Sequence, residues 1–128
     1  MLPHLHKLML LAVGGSLGTV SRYVLSSLIH RFCGTAFAWG TLAVNLSGSF
    51  LIGFLFALGE SRLIHTPQTR LLLVVGFLGA FTTFSTYMLD SYHMFQTGRP
   101  MLAWLNIVGS TGLGLALLMA GIGVGKAV

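Results

Sequence analysis

Four apolar runs, at residues 8–29, 37–58, 71–92 and 101–124, take up most of this 128-residue chain and dictate what it can fold into. An α-helix rises about 1.5 Å per residue, so each run is near or above the roughly 20 residues needed to cross bilayer hydrocarbon. The connectors at 30–36, 59–70 and 93–100 are short and carry turn residues such as Gly34, Pro67, Gly98 and Pro100. The expectation is an all-α membrane protein, residues 1–128 forming one four-helix transmembrane domain, with no long soluble loop to hold an active site. Composition agrees: 55% of residues are hydrophobic and 7% charged, against about 25% charged in soluble domains. Lys7 followed by an apolar run resembles a signal peptide. That run continues past Gly14 and Gly15 to about Ile29 without a small-x-small cleavage site, so it reads as the first spanning helix.

Seven Lys and Arg face two Asp and Glu, but the basic residues stand singly at segment ends and build no nucleic-acid patch. They read as membrane-flank anchors. An even number of spans puts Lys7, Arg62, Arg70 and Lys126 on one side, and Arg31 and Arg99, with Arg22 nearest, on the other. Topology follows an excess of Lys and Arg, and this near tie permits insertion both ways and hence an antiparallel homodimer. Glycines at helix-contact spacing, such as Gly14 with Gly18, suit close backbone packing. The single cysteine, Cys33, excludes an internal disulfide and has no metal-ligand spacing around it. The five histidines, His4, His6, His30, His65 and His93, fall at or outside the helix ends, where interfacial solvation accounts for them.

Within the third run, residues 76–87 place two glycines, four Ser/Thr hydroxyls and three phenylalanines inside membrane-depth sequence. Hydrocarbon offers no water to freed backbone groups, so such an interruption is tolerated only where it faces protein, an ion or a water-filled path. Here Ser85 and Thr86 are interleaved with Phe84 and Tyr87, which lie three apart on one face. Aromatic ring edges carry positive potential and favour an anion; packing is the usual explanation of such pairs, and the hydroxyls beside them count against it here. On the second helix Thr41, Asn45 and Ser49 recur every four residues, and on the fourth Asn106 and Ser110 repeat the spacing. These stripes either line one path or tie helices together by hydrogen bonds. Arg22 and Asp90 are the charged residues set inside the span limits; each either snorkels to the interface or serves a vestibule.

No nucleophile with a base, metal-ligand cluster or phosphate loop is present, so the chain does not read as an enzyme. A small multidrug-type exporter would need an ionisable carboxylate near the midplane, and neither Glu60 nor Asp90 stands there. A non-transporting scaffold subunit would use the polar stripes as helix glue.

Three motifs in order carry a resemblance across essentially all four helices. They are Gly14-Gly15-x-x-Gly18-x-x-x-Arg22-Tyr23, Gly40-Thr-Leu-x-Val-Asn45-x-x-Gly48-x-Phe50-x-x-Gly53, and Gly76-Phe-x-Gly79-x-x-Thr82-Thr-Phe84-Ser-Thr86. The chain closely resembles the fluoride channels known as Fluc, or CrcB. The resemblance implies a dual-topology homodimer of inverted subunits in the lipid of the bacterial inner membrane, with the third helix broken near its middle and two pores exporting fluoride passively. It further implies a structural, untransported sodium ion held by backbone carbonyls of Gly79 and Thr82. Asn45, Phe84 and Tyr87 carry over as pore residues, Ser85 and Thr86 as a polar track, and, on a looser motif, Asn106 and Ser110; Arg22 and Asp90 fall to the vestibule. Two positions depart from the family pattern: Tyr87 replaces a phenylalanine, and Gly79-Ala80-Phe81 replaces a glycine pair before the threonines.

Overall fold

The computed structural model describes residues 2–60 and 66–128, all helical apart from turns and one interruption. Helix α1 covers Leu2–Cys33 and α2 covers Trp39–Glu60. A third stretch runs through α3 (Pro67–Arg70), a π-wound segment (Leu71–Leu78) and α4 (Gly79–Phe81), then resumes as α5 (Phe84–Gln96). Helix α6 covers Pro100–Ala127. Four helical stretches, His4–Cys33, Trp39–Glu60, Pro67–Gln96 and Pro100–Ala127, are long and apolar enough to cross a membrane. Arg62 and His65, assigned above to the central connector, lie outside the described residues.

The helices outrun the apolar runs that announced them. Helix α1 has 32 residues and the third stretch 30, where the apolar runs suggested about 22. Hydropathy marks where hydrocarbon is, whereas a helix ends where its backbone bonding is diverted. For α1 that point is Gly34, whose positive φ of 78° lets its amide close back on the His30 carbonyl at 2.9 Å. For α5 it is Gly98, at φ 71°, with Pro100 opening α6 two residues later. At the start of α3, Thr66 accepts from the Thr69 amide and Pro67 stands in the first turn.

Lipid is as apolar as leucine, so helices in a membrane associate through close packing. The glycines set which helices meet. A Cβ on Gly14 would strike the Leu72 carbonyl, and one on Gly18 the Phe77 carbonyl, so α1 lies directly on the π-wound segment. Gly53 meets the Leu118 carbonyl and Gly121 the Phe50 carbonyl, which locks α2 to α6 by reciprocal backbone contact. Between these pairs a small core of Val44, Leu78 and Phe81 closes beneath the interruption, and a second of Ala38, Met94 and Ala103 closes one end. Large apolar side chains elsewhere, among them Val20, Val108 and Leu115, point outward.

Candidate functional site

Helical winding stops at Phe81 and restarts at Phe84. Thr82 (φ −83°, ψ 154°) and Thr83 (φ −145°, ψ 116°) are extended between them. Threonine hydroxyls compete with the helical ladder for backbone donors, and here one does. Thr83 Oγ1 accepts from the Thr86 amide at 3.3 Å, capping α5, and donates to Thr86 Oγ1 at 3.0 Å. The peptide group of Thr83 cannot be left bare at this depth. Asn45 on α2 matches it at both ends: Nδ2 donates to the Thr83 carbonyl at 3.0 Å, and the Thr83 amide donates to Oδ1 at 2.8 Å. One turn along α2, Gly48 leaves room for the Thr82 methyl, which a Cβ would hit. In a continuous helix the Gly79 and Thr82 carbonyls would accept from the amides of Thr83 and Thr86. Both amides are diverted, to Asn45 Oδ1 and Thr83 Oγ1, and the two carbonyls drop out of the helical ladder.

Two cavities meet at this interruption, and Thr83 borders both. The larger, about 380 Å³, opens between α2, the interruption and α6, with Asn45, Ser49, Gly79, Thr82, Phe84, Tyr87 and Ser110 among its lining residues. The second, about 360 Å³, lies between α1, α2 and α5 and is walled by Thr19, Arg22, Tyr23, Thr41 and Thr86.

The hydroxyl protons of the larger cavity are largely spoken for. Ser49 donates to the Asn45 carbonyl at 2.8 Å, and Ser110 to Asn106 Oδ1 at 3.3 Å. Tyr87 and Thr111 both donate to the Ile107 carbonyl, at 2.9 and 2.8 Å. A primary amide has two N–H donors, and only one of Asn45's is taken by Thr83. The remaining one belongs to a residue that lines the cavity. Phe84 and Tyr87 form an aromatic pair, ring centroids 5.7 Å apart and planes at 57°. They differ sharply in setting: Tyr87 is 8% exposed and pinned by its hydroxyl, whereas Phe84 is 74% exposed.

The remaining sequence-identified residues separate into different roles. Thr86 borders the second cavity, and Ser85 is exposed beside the cap, its hydroxyl 3.5 Å from that of Thr83. Asn106 is 2% exposed and stands behind Ser110, donating to Ser91 Oγ at 2.9 Å, so of that pair only Ser110 reaches the cavity wall. Arg22 borders the second cavity. Asp90 borders a third, and its carboxylate accepts from the Thr41 hydroxyl at 2.7 Å across the partition between them. The site residues read from the sequence did not include Thr83, Thr111 or Thr19. Thr19 precedes Arg22 by three residues and so shares its helix face, a signal that was there to read. The Thr83 pairing with Asn45 spans 38 positions and leaves no local trace.

Two comparisons bear on what this arrangement belongs to. The family model described as CrcB-like protein, Camphor Resistance (CrcB), matches residues 9–122. A protein of Magnetococcus marinus named fluoride-specific ion channel FluC is 45% identical over 117 residues, covering 91% of this chain and 95% of its own length. Proteins with the same name from Nitrosococcus oceani and Hydrogenovibrio crunogenus are 39% identical over 122 residues and 45% over 123. The first covers 95% of this chain and 98% of itself, the second 94% and 93%. Identity of that depth over nearly the full length of both partners, with a family model matching residues 9–122, makes this chain a member of the CrcB family.

Proposed function

We propose that this multi-pass membrane protein is a fluoride-selective channel that lets cytoplasmic fluoride leave passively, and that it is not an enzyme. The names of its relatives support the ion. The observation that carries the reading is the Asn45–Thr83 pairing, which opens the third stretch at mid-membrane and leaves one amide donor on a cavity wall otherwise short of free protons.

Fluoride is small and strongly hydrated, so a selective path must replace its water with donors and positive ring edges. The free Asn45 N–H, the edges of Phe84 and Tyr87, and the Thr86 and Ser110 hydroxyls after rotation supply them; larger, less basic chloride gains less from each. Arg22 draws anions into the second cavity. Asn106 acts through Ser110, and Asp90 through Thr41, by orienting hydroxyls that reach the path. Hydrogen fluoride crosses lipid as the neutral acid and dissociates inside, and a negative membrane potential then drives the anion out. No coupling carboxylate is required.

The subunit works as an antiparallel dual-topology homodimer in the bacterial inner membrane. Support comes from the near tie of flanking charges and from Phe84, an aromatic ring standing 74% exposed beside a cavity that one chain leaves open. The carbonyls of Gly79 and Thr82 suit a hard monovalent cation: they are neutral oxygens released from the helical ladder, and no group of three His, Cys, Asp or Glu competes among the described residues. A structural sodium held there would satisfy carbonyls that lipid cannot and would brace the interruption.

Liposomes loaded with fluoride and carrying the purified protein test the reading. Fluoride efflux without a proton gradient, with chloride retained, supports it; proton-coupled cation transport or no flux at all overturns it.

A further inference from the structure

Where the hydroxyls of Tyr87 and Thr111 meet on the wall of the larger cavity, there is one proton more than the nearest carbonyl can hold. Tyr87 on α5 reaches the Ile107 carbonyl on α6 at 2.9 Å, and Thr111 reaches the same oxygen at 2.8 Å. A carbonyl oxygen has two lone pairs. Ile107 lies inside α6, whose helical ladder gives one of them to the Thr111 amide. One place is left for two hydroxyl protons.

The second proton falls back on the gap between the two hydroxyl oxygens, which is 3.3 Å. An O–H···O bond ordinarily spans about 2.5–3.0 Å, so this one is weak and its proton is easily redirected. Acidity and exposure decide which residue holds it. A phenol is the stronger donor and Tyr87 is 8% exposed, so Tyr87 keeps the Ile107 carbonyl. Thr111 is exposed and lines the cavity. Turning about its Cβ–Oγ1 bond swings its proton from Tyr87 Oη into the cavity with no heavy atom moved. The Ser49 proton, by contrast, sits in an ordinary bond of 2.8 Å to the Asn45 carbonyl.

From these distances we infer that the Thr111 hydroxyl is a donor to fluoride on the wall of the larger cavity, and that Tyr87 is the positioning residue that frees it by occupying the Ile107 carbonyl. The inference rests on the channel reading. A conducting site must hold its ion firmly enough to admit it and loosely enough to release it. Thr111 donates to the ion while it is present, and its proton returns to Tyr87 Oη when the ion leaves, so neither state strands a donor.

Single-channel current of the purified protein in planar bilayers, measured against fluoride concentration at fixed pH, tests this. Thr111→Val keeps the side chain's shape and removes its proton. Half-maximal current should then need about three- to thirtyfold more fluoride, the difference between a hydrogen bond to an anion and a weak neutral one. Thr111→Ser keeps the hydroxyl and should recover most of that loss. Tyr87→Phe should weaken fluoride to a similar extent, because the vacated carbonyl takes the Thr111 proton. The double variant Tyr87→Phe with Thr111→Val should match Thr111→Val within about twofold, since both substitutions remove the same donor. A Tyr87 that only braced α5 on α6 would give losses that multiply, with a lower melting temperature. Wild-type fluoride dependence in Thr111→Val, no recovery with serine, or losses that multiply in the double variant overturns the assignment while leaving the channel standing. The valine and serine pair leaves Tyr87 intact, so it decides the donor even where Tyr87→Phe does not fold. A wild-type protein that carries no fluoride current overturns both.

Discussion

Replacing Asn45 by aspartate keeps the side chain's size and changes its hydrogen-bonding grammar. The wild-type amide donates to the Thr83 carbonyl at 3.0 Å and accepts from the Thr83 amide at 2.8 Å. A carboxylate keeps the second bond, loses the first and leaves a buried carbonyl against a negative oxygen, at a cost of about 1–3 kcal/mol in stability. The larger effect falls on the ion. A unit charge about 4 Å from the wall opposes an anion by about 4 kcal/mol at an effective dielectric constant of about 20. At about 1.4 kcal/mol per factor of ten, fluoride occupancy beside Asn45 falls about a hundred- to a thousandfold. The assay is fluoride efflux from liposomes with Asn45→Asp protein whose folding has been checked by its melting temperature in detergent. Flux should collapse at neutral pH and return in part as the pH falls, because a protonated carboxyl is uncharged and can again donate to Thr83. A folded variant that passes fluoride at the wild-type rate at neutral pH would refute both the placement of the ion beside Asn45 and the role of its free N–H.

Phe84→Ile should cut flux at least tenfold while the melting temperature stays within a few degrees, since the ring is 74% exposed and contributes little to a single chain's packing; unchanged flux would return Phe84 to a packing role. Gly53→Ala should weaken the fold by about 1–3 kcal/mol, read as a lower melting temperature in detergent, because the added methyl strikes the Leu118 carbonyl and α2 must move off α6. Replacing sodium with a large organic cation should reduce flux or dissociate the dimer, and full activity and assembly without sodium would sink the Gly79 and Thr82 site. Adding about two or three lysines to the 93–100 connector should bias insertion to one orientation and lower the yield of working channels, checked by terminal reporters. Wild-type protein found in one orientation only, and still conducting, would exclude the inverted dimer.

The number of spans was legible because bilayer thickness acts on each segment by itself: a run of about 20 apolar residues is a local fact. The face shared by Thr41, Asn45 and Ser49 was legible for the same reason, since the 3.6-residue turn is also local. The sequence marked residues 76–87 as exceptional through their glycines and hydroxyls, and family motifs gave those positions their expected roles. What it left open was the meaning of each polar side chain. Asn45 was either helix glue or an anion donor; in the folded chain it holds Thr83 with one side of its amide and keeps an N–H over. Asn106 and Ser110 are indistinguishable by spacing, yet one is sealed behind the other. His30 and His93 read as unrelated interfacial histidines and in fact share a cavity with Asp90 and Arg99. Each of these outcomes depends on how helices far apart in sequence cross. That crossing is set where glycines such as Gly18 and Gly53 let one backbone rest on another, a contact that belongs to two segments at once and is written in neither alone.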